Sequence, residues 1–292
     1  MKHKLIAAIA GAALASLAAC GPAATGGLGP APSSSPSQQQ SPQRTPPTRS
    51  PSPPTASAVT LQAWFTRGGK LFQSQRTVPA TRSVGKAAVN AVLLGPNTAE
   101  ASAGLVSGVP AGTSLLGLNI ASGVATVDLS SSFGAPAGRS AVSLRLAQVV
   151  YTLTQFSSVR SLHWRINGKD VTSIAGVPVT GPQTQAAYAG DLPPVIVASP
   201  VIGATVTSPV VVSGTADVFE AVVSIEILNA SGKEIARTFT MASCGTGCRG
   251  TYSTSLAFSV PVTQKGTVEV FERSAKDGSP IHVQMIPVTL AP

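Results

Sequence analysis

Apolar and polar residues alternate where the folded part of the chain begins, and this alternation predicts β-strands. Every second residue from Val59 to Phe65 is apolar, as expected for a strand with one buried face. The turn signal Arg67-Gly68-Gly69-Lys70 follows and leads into a second run, Leu71 to Val78. Paired glycines between two such runs are typical of a tight hairpin turn, so this part of the chain is predicted to open with a β-hairpin.

Two longer segments have apolar residues at the spacing of an α-helix. The first, Arg82 to Leu94, is followed by Gly95-Pro96, a pair that ends helices because glycine adopts the left-handed conformation and proline cannot continue the hydrogen bonding. The second, Ser140 to Gln155, carries an apolar stripe at intervals of three and four residues, which is typical of an amphipathic helix. The opposite face of this second helix carries four polar residues: Arg145, Gln148, Thr152 and Gln155.

Further alternation predicts strands at 116–120, 124–129 and 162–166, again with a period of two. Turns are indicated at Ser122-Gly123 and at Asn167-Gly168. The order strand, strand, helix, strand, strand, helix, strand predicts an α+β domain over residues 58–180, in which two helices cover a mixed sheet.

Residues 194–292 contain short β-rich runs and lack helical patterns. The seven runs are at 195–197, 210–212, 222–228, 234–241, 252–258, 267–272 and 281–290. Turns are expected at Gly232, Gly266 and Asp277-Gly278. Seven strands in about 100 residues are typical of an immunoglobulin-like β-sandwich, so the second domain is predicted to be all-β.

Composition identifies the remaining segments as linkers. Residues 21–57 are rich in Pro, Ser, Thr, Gln, Gly and Ala and have no periodic apolar pattern, which is typical of a disordered, extended spacer. A second stretch, 181–193, is rich in Gly, Pro, Gln and Ala and is interpreted as the linker between the two domains. The chain of 292 residues is long enough for each domain to bury a core of its own, given ordinary domain sizes.

Several separated motifs resemble known families. In the first domain, Gly95-Pro96, Val109-Pro110-Ala111-Gly112-Thr113, the runs 123–130 and 152–156, and Ile166-Asn167-Gly168 resemble the GerMN domain of sporulation and spore-germination proteins. In the second, Ser199-Pro200, Ser208-Pro209-Val210, the run 213–216 and Phe219-Glu220 resemble the immunoglobulin-like domain that often follows GerMN. The resemblance implies an envelope protein with these two modules in this order, and it carries over no catalytic residue.

The first residues of the chain have the pattern of an export signal. Lys2 and Lys4 precede a short apolar run from Leu5 to Leu17, which is too short for a bilayer core that needs about 20 apolar residues. Leu17-Ala18-Ala19-Cys20 then resembles a bacterial lipobox, and this implies cleavage after residue 19 and lipidation of the Cys20 sulfur. Residues 1–19 are therefore interpreted as a lipoprotein signal peptide, and residues 20–57 as the lipidated cysteine and its linker. The alternative is an ordinary signal peptide with a chance cysteine.

Two more cysteines, Cys244 and Cys248, remain in a chain that is predicted to be exported. An even number of cysteines outside the cytoplasm favours a disulfide. A zinc site would need two further ligands, and the candidates, His163 and His282, are distant in sequence. We therefore expect a disulfide, and no metal or other cofactor.

Charge is distributed unevenly along the chain. Residues 58–180 contain ten Lys or Arg and three acidic residues, for a net charge of +7, whereas residues 181–292 contain six bases and eight acids, for −2. A basic module near the membrane predicts binding to anionic wall polymer or lipid headgroups, unless the charge only keeps the domain soluble. The candidate polyanion-binding residues are Arg145, Arg160, Arg165 and Lys169.

Catalytic and nucleic-acid-binding signatures are missing from the sequence. Ser83-Val84-Gly85-Lys86 matches the pattern Ser-x-x-Lys, but the motifs that accompany it in serine hydrolases do not occur. Basic residues interleaved with aromatic residues, which would indicate nucleic-acid binding, do not occur either.

Two hypotheses for the function remain. The first is a non-enzymatic envelope scaffold, anchored to the membrane by its lipid, that binds wall polymer or exported proteins. The alternative is a peptidoglycan-acting hydrolase or its regulatory subunit, which is supported only by the expected location in the envelope. Glycoside hydrolysis would require a pair of carboxylates. Candidates for such a pair are Glu220, Glu226, Glu269 and Glu272.

Replacing Cys20 tests the lipid anchor. The acyl chains contribute about 0.8 kcal/mol per buried CH₂, and the variant Cys20→Ser cannot carry them. We therefore expect uncut precursor, or protein released into the medium, when cells are fractionated and immunoblotted. Fully processed variant protein in the membrane fraction at the wild-type level would contradict the lipobox assignment.

Overall fold

The predicted hairpin is present in a computed structural model, which describes residues 57–292. Strand β1, Ala58–Arg67, pairs antiparallel with β2, Lys70–Pro79, along its whole length. Gly68 and Gly69 form the turn with φ of 58° and 73°, which matches a two-residue turn with both residues in the left-handed region. The signal peptide and the Cys20 anchor lie outside the described residues.

Three helices and six further strands complete the first domain. In chain order they are α1 Val84–Leu94, α2 Thr98–Ser102, β3 Leu115–Ala121, β4 Val124–Leu129, α3 Arg139–Leu153, β5 Ser161–Ile166, β6 Lys169–Asp170, β7 Ser173–Ile174 and β8 Val177–Pro178. Strands β3 to β6 form a four-stranded sheet that is antiparallel except for the pair β4–β5, and α3 makes the crossover between these parallel strands. The predicted mixed α+β fold is confirmed, although the hairpin forms a sheet of its own and α2 was not predicted.

Helix α3 is buried on its polar face as well as on its apolar one, so the prediction of a polar face opposite the core needs correction. The backbone N–H of Trp64 donates to Thr152 Oγ1 at 3.2 Å, and its carbonyl accepts from Gln148 Nε2 at 3.0 Å. Gln155 makes the same two contacts with the backbone of Gln62, both at 2.8 Å. The polar stripe of the helix thus takes the place of a neighbouring strand along the free edge of β1.

Arg145 of the same helix is also buried, although it was predicted to bind a polyanion. Its side chain is only 4% exposed, and it donates to the carbonyl oxygens of Phe133 at 2.7 Å, Ala135 at 2.8 Å and Gly108 at 3.1 Å. A guanidinium that is buried against three carbonyls fastens two loops to α3. Arg145 is therefore not accessible to a polyanion.

The second domain is the predicted β-sandwich. Its strands are β9 Val195–Ser199, β10 Thr205–Val206, β11 Val210–Ala216, β12 Val222–Leu228, β13 Glu234–Met241, β14 Gly250–Leu256, β15 Gln264–Arg273 and β16 Pro280–Leu290. One sheet has the order β10-β16-β15-β12-β13 and the other β14-β11-β9. The turn predicted at Gly266 is wrong, because this residue lies inside β15, where a Cβ atom would collide with Leu290 and with the carbonyl of Leu228.

The two remaining cysteines lie in the loop between β13 and β14. The sulfur atoms of Cys244 and Cys248 are at bonding distance, and their Cα atoms are 5.6 Å apart, within the range of disulfides. The backbone N–H of Thr246 donates to Val218 O at 3.0 Å. This cysteine loop is therefore fastened to the loop that precedes β12.

The two domains share one hydrophobic core, and the hairpin joins them. Leu71 and Phe72 of β2 belong to the same cluster of buried residues as Val195 and Ile196 of β9. Gln75 Nε2 donates across the junction to a carbonyl of β9, that of residue 198, at 3.0 Å. Residues 54–292 accordingly form one compact unit.

The segment interpreted as the interdomain linker, 181–193, is packed into this junction. It contains a 3₁₀ segment, Gln185–Asp191, in which Tyr188 is buried. The hydroxyl of Tyr188 donates to Gln183 Oε1 at 2.5 Å, and burial raises the pKa of Tyr188 to about 12. Tyr151 of α3 donates to a carbonyl of the same segment at 3.1 Å, so the connection between the domains is tied to the first domain.

The contact between α3 and the edge of β1 can be tested with Gln148→Leu. Leucine leaves the Trp64 carbonyl without its partner, and it also removes the acceptor of the Gly108 N–H, which lies 2.6 Å from Gln148 Oε1. A buried polar group left unpaired costs about 1–3 kcal/mol. Two such groups should lower the free energy of unfolding by about 2–6 kcal/mol, as measured by urea denaturation.

Asn119→Ala is the control for this experiment, because Asn119 is exposed on β3. Its effect should stay within about 0.5 kcal/mol. A loss for Gln148→Leu no larger than that of the control would contradict the role assigned to the polar stripe.

Candidate functional site

Two of the predicted cationic residues, Arg165 and Lys169, lie on β5 and β6 of the four-stranded sheet. Arg165 Nε is 3.1 Å from Asp170 Oδ1, and Arg165 Nη2 donates to Gly168 O at 2.5 Å. His163 Nε2 lies 3.0 Å from the same carboxylate oxygen. The hydrogen bond from His163, and the charge of Arg165, lower the pKa of Asp170. The charge of Arg165 is therefore balanced locally, whereas Lys169 beside it is exposed.

Arg160 lies at the other end of the same sheet. It is exposed, and its Nη2 donates to Ser122 O at 2.8 Å in the turn between β3 and β4. Strand β5 separates it from Lys169, a distance of about 20 Å at about 3.3 Å per residue. The four predicted polyanion-binding residues are thus not brought together: one is buried, one is ion-paired and two lie at opposite ends of a strand.

The second domain exposes large apolar side chains on one face of its five-stranded sheet. Phe239 and Met241 of β13 are 68% and 63% exposed, and Met285 of β16 is 49% exposed. Residues opposite each other in an antiparallel pair share a face, and the register places Phe239 opposite Ser224 and Met241 opposite Val222. We call this surface the outer face; it is formed by Val222, Ser224, Glu226, Arg237, Phe239, Met241, Glu269 and Met285.

A depression of about 610 Å³ opens on the outer face between Phe239 and Arg273. The short side chains of Val222 and Ser224 on β12 line it. Arg273 is held in place by Glu226, whose Oε1 accepts from Arg273 Nη2 at 2.8 Å. The depression therefore combines an exposed aromatic ring with a fixed ion pair, which is an arrangement suited to binding a partner.

Two of the glutamates considered for hydrolysis, Glu226 and Glu269, lie on the outer face, and Glu272 is held by contacts with neighbouring groups. Glu226 and Glu269 are opposite each other in the pairing of β12 with β15, but Glu226 is ion-paired. Glu272 Oε1 accepts the Phe219 N–H at 2.9 Å, and its other oxygen is 3.7 Å from His282 Nε2. Burial, together with the neighbouring charge of Glu226, raises the pKa of Glu269. The Glu226–Glu269 pair forms part of an open sheet surface and does not face across a cleft.

Residues 57–292 contain neither a metal-ligand cluster nor a helix that could span a bilayer. That part of the chain contains no group of three or more His, Cys, Asp or Glu side chains arranged to hold a metal ion. None of its helices has the length and hydropathy needed to cross a bilayer.

Comparison with protein families identifies both domains. Residues 64–172 match the model described as sporulation and spore germination. Residues 194–279 match the model described as the immunoglobulin-like domain of bacterial spore germination. The two modules predicted by resemblance, and their order, are confirmed by these matches, and neither description names an enzymatic activity.

Solved structures provide a second comparison. The tandem GerMN domains of the sporulation protein GerM from Bacillus subtilis match with 16% identity and a TM-score of 0.41, covering 80% of this chain and 61% of that one. The first GerMN domain of the same protein matches with 23% identity and a TM-score of 0.39, covering 44% of this chain and 98% of that one. No curated protein matches the sequence.

The outer face was not found by sequence reasoning. Phe239 and Met241 alternate with Thr238 and Thr240, which is the pattern of a strand whose apolar side faces the core. Alternation shows that a strand has an apolar side, but it does not show what covers that side. Only the pairing with β12 shows that these two residues face away from the sandwich core.

The raised pKa of Glu269 predicts a pH-dependent contribution to stability. A carboxyl group whose pKa is higher in the folded state binds its proton more tightly there. Its contribution to the free energy of unfolding is therefore present below the unfolded-state pKa and is lost as the pH rises through the folded-state pKa. Glutamine does not ionise, so the variant Glu269→Gln avoids this loss of stability at high pH. The variant should be more stable than wild type at pH 7, and the difference should disappear at about pH 3.5, as measured by urea denaturation at both pH values.

Glu234→Gln is the matched control, since Glu234 makes only an exposed i,i+3 contact with Arg237. Such contacts contribute little, so this variant should show no gain at pH 7. Destabilisation by Glu269→Gln at pH 7 would show that the ionised carboxylate is favourable in the folded protein, contrary to this prediction.

Proposed function

We propose that this chain, which carries a GerMN-like domain followed by an immunoglobulin-like domain, is a non-enzymatic lipoprotein of the bacterial cell envelope. In this proposal it is a scaffold that holds exported protein partners in an assembly. Cys20 would anchor the protein to the membrane, and residues 21–57 would space the folded part from the anchor. The family descriptions, which refer to sporulation and germination and not to an enzymatic reaction, support a role of this kind.

The outer face of the second domain is the observation that carries the proposal. Grouped, exposed apolar side chains such as Phe239 and Met241 mark protein interaction sites when polar residues surround them. Arg237, Glu226 and Arg273 supply that polar surrounding, as at the rim of known interfaces. Strand β13 is also at the edge of its sheet, so a partner could add a strand beside these side chains.

A protein partner is favoured over an anionic polymer because the residues predicted to bind a polyanion are dispersed or engaged. Arg145 is buried, Arg165 lies against Asp170, and Arg76 forms an ion pair with the buried Glu100 at 2.5 Å. Binding of a polymeric anion depends on several cations that act together over one surface. The first domain does not offer such an alignment among the residues expected to form it.

The alternative, hydrolysis of peptidoglycan, has less support. Glycosidases place their two carboxyl groups on either side of the scissile bond. Glu226 and Glu269 instead lie next to each other on a sheet surface, and Arg273 neutralises one of them. We therefore favour binding over catalysis.

Capture from envelope extracts tests the proposal. The immobilised fragment 54–292, which forms one compact unit, is compared with the double variant Phe239→Ser/Met241→Ser. Both side chains are more than 60% exposed, so the substitutions remove apolar contact surface without opening the core. We expect quantitative mass spectrometry to find a set of exported proteins retained by wild type and depleted at least about fivefold by the double variant, as for loss of a hot spot.

Val262→Ser is the control, because Val262 is 62% exposed but lies outside the outer face. It should retain the same proteins as wild type, and all three fragments should have the same circular dichroism. Equal recovery of every captured protein with the double variant and the control would contradict the proposal.

A further inference from the structure

A groove at the junction of the two domains contains positive charge without a counter-charge. It encloses about 550 Å³ and is lined by the tip of the β1–β2 hairpin, by residues 192–194 of the connector and by residues 282–284 of β16. Its cations are Arg67 and Lys70, and His282, which lies 3.7 Å from Glu272, also lines it. We call it the junction groove.

The hairpin turn holds two of these cations side by side. Only Gly68 and Gly69 separate Arg67 from Lys70, and the register places the two directly opposite each other. Like charges in opposite positions of an antiparallel pair repel and are unfavourable on their own. An anion that lies between the two side chains would replace this repulsion by two attractions.

Arg67 is held in place by neutral groups. Its Nη1 donates to Met285 O and its Nη2 to Gln284 Oε1, both at 2.9 Å, and its guanidinium carbon is 4.3 Å from the centroid of the Phe72 ring. Burial lowers the pKa of Arg67, which means that the charged form is partly desolvated. A partly desolvated charge interacts more strongly with a counter-charge than an exposed one does.

Within residues 57–292, no acidic side chain forms an ion pair with the hairpin tip. Asp191, which lies between Gly190 and Leu192, accepts a hydrogen bond from Ser143 Oγ at 2.8 Å. All eleven Asp and Glu residues fall within residues 57–292, and none of them lines the junction groove. Lys70 Nζ donates instead to the carbonyl of Gly190 at 2.6 Å. On the β16 side, Glu272 is shared between His282 and the Phe219 N–H.

The walls of the groove indicate which kind of molecule carries the anionic group. Leu192, Pro193, Pro194 and Val283 line it beside the cations, and these side chains offer no hydrogen-bonding groups. A sugar-phosphate polymer presents hydroxyl groups that would lose water against such walls. A peptide with an acidic residue between apolar residues satisfies both the charges and the walls.

We propose that the junction groove binds an acidic peptide segment of a protein partner, with one Asp or Glu carboxylate between Arg67 and Lys70. The apolar neighbours of that carboxylate pack against Leu192 and Val283. This inference rests on the proposed function and deepens it, because it names the chemistry of one partner segment. It concerns contacts other than Phe239 and Met241, so the two can fail separately.

Nuclear magnetic resonance titration of the ¹⁵N-labelled fragment 54–292 tests the inference. The probe is the capped peptide Ac-Gly-Leu-Glu-Leu-Gly-NH₂, and the matched neutral probe has Gln in place of Glu. We expect saturable shifts of the backbone amides of Gly68 and Val283 with the Glu peptide. The binding should be weaker at high salt, because the Debye length shortens from about 8 Å at 0.15 M to about 3 Å at 1 M. The Gln peptide should bind at least about tenfold more weakly, as for loss of a charge-assisted hydrogen bond.

Two variants with the same change in net charge locate the site. Lys70→Gln should weaken the binding of the Glu peptide about tenfold, the equivalent of about 1.4 kcal/mol. Lys169→Gln, at an exposed lysine outside the groove, should leave it unchanged. Both residues are exposed, so the fold should survive either substitution.

Three results would overturn the inference. They are equal binding of the Glu and Gln peptides, equal losses in the two lysine variants, and saturation of the same signals by inorganic phosphate at the concentration that suffices for the Glu peptide. Phe239→Ser/Met241→Ser should leave peptide binding intact. Equal envelope capture by wild type and this double variant, with peptide binding retained, would therefore count against the outer face and not against the groove.

Discussion

The burial of the free edge of β1 against α3 is the interaction on which the rest of the structure depends. A strand edge inside a core must have its N–H and C=O groups paired, and here Gln148, Thr152 and Gln155 pair them at 2.8–3.2 Å. Gln148 and Thr152, one helical turn apart, both reach Trp64, and Gln155, just beyond the end of α3, reaches Gln62 two residues away on the strand. One helical face can therefore serve alternate residues of a strand, and Trp64 and Gln62 are the two residues served.

With one edge of β1 taken by α3 and the other by β2, the hairpin is fixed to the first domain and its outer strand meets the second. Leu71 and Phe72 continue the hydrophobic core into β9, and the connector is fastened to α3 through Tyr151. Domains joined in one chain move relative to each other unless their interface is large and hydrophobic. Here the core is continuous, so the hairpin tip keeps a defined position against β16.

Much of this fold follows from local pattern, since strands and turns are encoded by alternation and by glycine pairs such as Gly68-Gly69. The failures have one physical cause, which is that pattern assigns residues to faces without showing what covers each face. Arg145 and Gln148 are polar, but they can be buried because they form hydrogen bonds with backbone groups. Gly266 was expected in a turn, but a strand neighbour approaches it too closely for a side chain. Phe239 is apolar and exposed, because the face it occupies has no cover within the described chain.

The net positive charge of the first domain does not by itself show where an anion would bind. A net charge of +7 describes a long-range field, but salt screens exposed charges beyond about 8 Å at 0.15 M, so recognition depends on charges that lack a partner nearby. Arg76, Arg145 and Arg165 have partners, whereas Arg67 and Lys70 meet only neutral groups. These two cations lie where the first domain contacts the second, against walls that the connector and β16 supply. Neither module alone would form that groove, so a binding function located there requires both modules in one compact unit.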